Sequence, residues 1–130
     1  ENVLVFGFKF GWLLVLLTNF CKRVYGICNN MEYKKRLEVF LFKNNYNNIY
    51  LCNKGNILSW SHVAPFDLIY IFNLNSFSNN DVIEQLSNKG QVFMPSIKKN
   101  NDIGMISINK DNFIYNQNCN FDLLDRSDLI

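Results

Sequence analysis

The stretch from Asn2 to Phe20 limits this chain more than any other, because it is almost continuously apolar: NVLVFGFKFGWLLVLLTNF. Such a segment either crosses a membrane or is buried in protein, and a membrane-spanning helix needs about 20 apolar residues. Lys9 stands mid-segment and Gly7 and Gly11 interrupt it, which favours burial. The segment also lacks the Arg-rich, amphipathic character of a presequence. From Leu13 onward a helical period sets in. Leu13, Leu16, Leu17, Phe20, Val24 and Ile27 fall on one stripe, with Lys22 and Arg23 off it. The spacing predicts an extended lead followed by an amphipathic helix from about residue 12 to residue 28.

Asn29-Asn30 breaks that helix, and a second is predicted over Lys34 to Lys43, with Leu37, Phe40 and Leu41 facing inward. Ile49 to Cys52 reads as a strand, turned by Asn53 to Asn56 onto Ile57 to Trp60 as a hairpin partner. The clearest strand is Phe66 to Leu74, one face of which is wholly apolar. A polar stretch, Asn75 to Asn80, marks a lobe boundary. Beyond it come a turn at Ser87 to Gly90 and strands at Gln91 to Met94, Ile103 to Ile108 and Phe113 to Tyr115. With 48% apolar residues over 130 positions, the chain can bury a core and is no disordered tail.

Little in the sequence argues for catalysis. His62 is the one histidine, with no nucleophile placed beside it in a recognisable motif. Gly7 and Gly11 lack the third glycine and the Lys-Ser/Thr of a phosphate loop. Asp122, Asp125 and Asp128 could share a helical face, but without a matching ligand they read as a solvated one. The cysteines at 21, 28, 52 and 119 have neither zinc nor redox spacing, and are expected to be free thiols. A net charge of only +2 is weak support for nucleic acid. Basic residues gather locally, however, at Lys22-Arg23, Lys34-Lys35-Arg36 and Lys98-Lys99. From spacing alone these read first as solubilising charge; with interleaved Asn and Ser they also suit phosphate and sugar contacts. Runs such as Lys43-Asn44-Asn45-Tyr46-Asn47-Asn48 look like the product of a very AT-rich gene, for which organellar genomes are one common source.

In their order, several segments resemble small-subunit ribosomal protein eight. Leu16-Leu17-Thr18 is similar to that family's Met-Leu-Thr, and Lys35-Arg36-Leu37 with Val39 to Lys43 to its Lys-Leu and Val-Leu-Lys helix. Val82 to Gly90 looks like the stretch ending in Ile-Ser-Lys-Pro-Gly, and Asp102 to Ile108 like the Gly-Leu-Gly-Ile-Ala-Ile-Leu strand. The family's RNA-contacting Ser-Thr-Ser-Lys-Gly loop falls on Asn109 to Phe113. The resemblance implies an α+β fold, with an N-terminal helix-and-strand lobe (residues 1–75) packed on a C-terminal β-rich lobe (76–130). It also implies a non-catalytic constituent of an organellar ribosome, mitochondrial or alternatively plastid-type, that binds small-subunit ribosomal RNA and neighbouring ribosomal proteins. RNA would be met by Lys22, Arg23, Lys34, Lys35, Arg36, Ser87, Lys89, Gly90, Asn109, Lys110 and Asn112. No cofactor, metal or small-molecule substrate is expected. The alternative is a structural subunit of a mitochondrial inner-membrane complex, anchored by residues 2–20.

Overall fold

The computed structural model describes residues 1–7, 11–52, 56–72, 77–97 and 103–115. Strand β1 (Asn2–Phe6) is the centre of the molecule, and its last four residues are buried. Helix α1 (Trp12–Leu17) follows, then β2 (Arg23–Ile27), α2 (Met31–Lys43) and β3 (Ile49–Cys52). A 3-10 segment, Ile57–Val63, bent at Trp60, leads into β4 (Phe66–Ile71). After β4 come α3 (Asn79–Gln85), β5 (Leu86–Ile97), β6 (Ile103–Asn109) and α4 (Lys110–Tyr115). The six strands form one sheet in the order β3-β2-β1-β4-β5-β6. Every neighbouring pair is parallel except β5 with β6, which is antiparallel.

Burial on both faces explains why β1 and β2 carry no charged residue after their first position. Val3 and Val5 of β1 pack with Leu14, Leu17, Val24, Leu37 and Leu41 under α1 and α2. Leu4 and Phe6 point the other way, into a core with Ile57, Phe66, Ile69, Val82 and Val92. Each such side chain contributes about 1.5–3 kcal/mol of burial. Asn30 caps α2 by accepting from the Tyr33 N–H at 3.0 Å, and Ser78 caps α3 in the same way through Asp81 at 3.3 Å. On the second face, Gln85 ties α3 to the 3-10 segment by donating to the Ile57 carbonyl at 3.1 Å.

This architecture replaces the expected pair of lobes. One sheet runs through the whole described chain, and β4 pairs with β5 across the position where a lobe boundary was expected. The helix predicted over 12–28 ends at Leu17, and Arg23–Ile27 is a strand. Val24 and Ile27 did fit the helical stripe, but they lie on opposite faces of β2, in the two different cores. Ile57–Val63 is no hairpin partner for β3, which pairs with β2 alone among the described strands. The turn expected at Ser87 to Gly90 lies inside β5 as a register slip: Phe66 faces Leu86, while Leu68 faces Gln91. Tyr115, expected in a strand, ends α4. The strand expected from Phe66 is present as Phe66–Ile71, and the helix expected over Lys34 to Lys43 is present but begins three residues earlier, at Met31. Among the described residues, no helix is long and apolar enough to cross a membrane.

Candidate ligand site at the carboxyl end of the sheet

After β1 the chain builds β2 and β3 to one side, then returns past β1 to lay β4 on the other. At such a switch point the connections diverge to opposite faces and leave a crevice beyond the carboxyl ends of the strands, where doubly wound folds bind ligands. The residues at this rim are Gly7 after β1, Cys28-Asn29-Asn30 after β2, Cys52 at the end of β3 and Phe72 after β4. Backbone bonds lock it: Gly7 N–H donates to the Ile27 carbonyl at 3.1 Å, Cys28 N–H to Cys52 at 2.7 Å and Phe72 N–H to Phe6 at 2.8 Å.

Two glycines, one just after β1 and one just before α1, each answer a different constraint. Gly7 has φ 81°, in the left-handed region where a Cβ is strained. Gly11 precedes α1, and a Cβ there would lie 2.5 Å from Leu37 Cδ1, so its absence lets α1 seat against α2. The Gly11 N–H donates to the Tyr33 hydroxyl, which joins the start of α1 to the first turn of α2. A glycine turn between a strand and a helix at a switch point is how such folds bring backbone close to a ligand. Phosphate-loop spacing was the wrong test for this pair. The signal available in the sequence was an apolar strand, a glycine, a short helix and a second apolar strand in succession.

The residues expected to meet RNA lie mostly at the opposite end of the sheet. Exposed Lys22 precedes β2 and exposed Arg23 begins it, Ser87 and Lys89 lie near the start of β5, and Asn109 ends the antiparallel β6. Ser87 donates to Asp67 Oδ1 at 3.0 Å, and Lys110 donates to the Leu86 carbonyl at 2.9 Å. Asn109 accepts from the Asn112 N–H at 2.8 Å as the cap of α4. Gly90 is buried, and a Cβ on it would come within 2.6 Å of Leu86 Cδ1. Lys34, Lys35 and Arg36 lie apart from these on α2, where Lys34 pairs with Glu38 at 2.7 Å. Exposed His62 lies over Trp60 with ring centres 5.7 Å apart, and Trp60 Nε1 donates to the Gly26 carbonyl at 3.1 Å. Among the described residues Cys21, Cys28 and Cys52 form no disulfide, and Cys119 lies outside the described residues, as do the three late aspartates. Among the described residues, no cluster of metal-ligating side chains is present.

No protein-family model matches the sequence, and no curated protein is similar to it. Solved structures share its fold. A precorrin-6y C5,15-methyltransferase from Geobacter metallireducens superposes with a TM-score of 0.63 at 13% identity, over 76% of this chain and 56% of that one. The N-methyltransferase NodS from Bradyrhizobium japonicum gives 0.61 at 19% identity, over 77% and 60%. A protein-L-isoaspartate O-methyltransferase gives 0.65 at 14% identity, over 83% and 35%. The chain thus spans 56% and 60% of the length of the first two. Its fold is the Rossmann-like fold of methyltransferases, not that of small-subunit ribosomal protein eight.

That likeness overturns the expectation of a non-catalytic ribosomal protein partnered only by RNA and other proteins. The neighbours that share the fold are methyltransferases, and NodS has also been solved with S-adenosyl-L-homocysteine bound. The inner-membrane alternative is not supported either, because residues 2–6 and 12–17 of its supposed anchor are a central strand and a short helix.

Proposed function

We propose that this chain is the S-adenosylmethionine-binding domain of a methyltransferase. The observation that carries the reading is the glycine turn at the switch point, with Gly7 at φ 81° where β1 opens toward α1. The shared fold with methyltransferases supports it, and so does the position of the crevice at the carboxyl ends of β1 and β4.

The residues at the rim fit the ligand on one side only. On the β1 side, Gly7 admits the backbone bend and close approach that a nucleoside-bearing ligand requires, and Gly11 holds α1 back against α2. On the β2 side, doubly wound folds place a carboxylate about 20 residues beyond the glycine turn to hold the ribose hydroxyls. Here that position carries Cys28, followed by Asn29 and Asn30. The fit is therefore incomplete, and no catalytic step is assigned to the side chains of this chain.

Saturation-transfer NMR with S-adenosylhomocysteine tests the reading. The adenine protons should receive saturation from the protein, S-adenosylmethionine should compete, and Gly7→Val should remove the effect. Equal transfer to wild type and Gly7→Val would place the ligand elsewhere.

A further inference from the structure

We infer that the tip of β2 grips its nucleoside without reading the ribose, because Cys28 stands where a carboxylate would accept from the sugar hydroxyls. The inference rests on the proposed binding of S-adenosylmethionine and concerns the selectivity of that same crevice.

Three features fix the position. Cys28 is the first residue beyond β2, and its N–H bond to the Cys52 carbonyl, at 2.7 Å, holds it at the rim. Its strand neighbour Ile27 accepts from Gly7 N–H at 3.1 Å, so the β2 tip and the glycine turn adjoin. The Cys28 side chain is only 2% exposed, packs with the core under α1 and α2, and lies 3.5 Å from the Asn30 carbonyl.

A ribose presents two neighbouring O–H donors, which a carboxylate can accept together, one on each oxygen. A thiol is a weak acceptor and offers only one atom. The residues that follow do not replace the carboxylate. Asn30 Oδ1 already accepts from the Tyr33 N–H at 3.0 Å. Asn29 is a neutral amide, and the next acid, Glu32, lies in the first turn of α2, where it is exposed. Sites built to hydrogen-bond a hydroxyl reject the analogue lacking it by large factors, whereas sites without such partners discriminate little. A ligand held at the Gly7 end of β1 with no carboxylate to accept from its ribose should therefore bind about as well without its 2′-hydroxyl.

The experiment compares S-adenosylhomocysteine with its 2′-deoxy analogue by calorimetry. Wild type should bind the two within about threefold of each other. Cys28→Asp should bind S-adenosylhomocysteine about tenfold more tightly than wild type, and should favour it over the deoxy analogue by about the same factor. Because Cys28 is buried, Asn29→Asp serves as a second variant on an exposed residue, expected to give discrimination of about threefold or more. Glu32→Gln should leave the wild-type ratio near one.

Wild-type discrimination of about tenfold or more would overturn the inference while leaving the binding domain intact, and its disappearance in Glu32→Gln would assign the reading of the ribose to that acid. If neither ligand binds to wild type, Cys28→Asp or Asn29→Asp, the binding-domain reading falls, and this inference falls with it.

Discussion

The two ends of the sheet are held together differently. At the amino end, side chains close the structure. Asp67 accepts from Ser87 Oγ at 3.0 Å and from the Asn2 N–H at 3.2 Å, Asn48 donates to the Lys22 carbonyl at 3.3 Å, and Lys110 reaches the Leu86 carbonyl. At the carboxyl end the strands are joined chiefly peptide to peptide, and Gly7, at φ 81°, makes the bend that follows β1. Polar side chains spent on one another are poorly placed to hold a ligand, whereas an end held by backbone can leave a crevice. Stability should therefore depend on the amino end and ligand binding on the carboxyl end, and substitutions at each can separate the two.

The largest effect is expected from Phe66→Ala. Phe66 is fully buried at the amino end of β4, edge-on to Tyr25 with ring centres 5.7 Å apart. Removing its ring should cost about 3–5 kcal/mol, read as a lowered urea midpoint. A loss under about 1 kcal/mol would mean that this end is not the packed one.

Gly7→Val should cost less in stability, about 1–2 kcal/mol for a side chain forced to φ 81°. It should nonetheless abolish the response to S-adenosylhomocysteine, which Phe66→Ala should retain at temperatures where it stays folded. A Gly7→Val variant that binds normally would break the contrast between the two ends.

Asp67→Ala removes the acceptor for two hydrogen bonds at a half-buried site. Partial exposure reduces the expected loss to about 1 kcal/mol, again without effect on ligand binding. Urea unfolding paired with ligand titration checks both halves of that statement.

The same contrast explains what the sequence disclosed and what it concealed. Strand β4 was legible because one face of the segment after Pro65, Phe66, Leu68, Tyr70 and Phe72, is wholly apolar while Asp67 falls on the other. Helix α2 was legible because Leu37 and Leu41 recur at helical spacing. Strand β2 was concealed because burial on both faces produces an unbroken apolar run, and such a run also satisfies a 3.6-residue period over a few turns. With β2 read as helix, the β-α-β unit disappeared and Gly7 lost its context. The glycine then had meaning only as part of a phosphate loop, which it does not match. Resemblance assembled from short segments filled the gap, and two of those segments, Ser87 to Gly90 and Asn109 to Asn112, proved to lie at the closed end of the sheet. The rim itself was the harder part to read: Cys28 is an ordinary buried thiol until the topology brings it beside Gly7.

The smallest expected effect concerns pH, and it belongs to the closed end. Cys21 lies just before β2 and is buried, and desolvation is the main cause that raises its pKa above the ordinary thiol value. The nearby charge of Glu1 pushes it the same way, the amino group of Glu1 opposes, and Asp67 adds a lesser push upward. A group whose pKa is raised in the folded state keeps its proton there longer than in the unfolded chain. Its contribution is fully present below the unfolded thiol pKa, about 8.5, and is lost as the pH climbs through the folded value. Tyr70 is raised as well, first by burial and then by Cys21, so its contribution is lost at higher pH still. Unfolding free energy should thus be level near neutrality and fall progressively above about pH 8.5. Cys21→Ala should flatten the first part of that fall and leave the Tyr70 part in place, with S-adenosylhomocysteine binding at neutral pH unchanged. Urea titrations between about pH 7 and pH 10 on the two proteins measure the difference directly. An equally steep fall in Cys21→Ala would assign the alkaline sensitivity to some group other than this thiol.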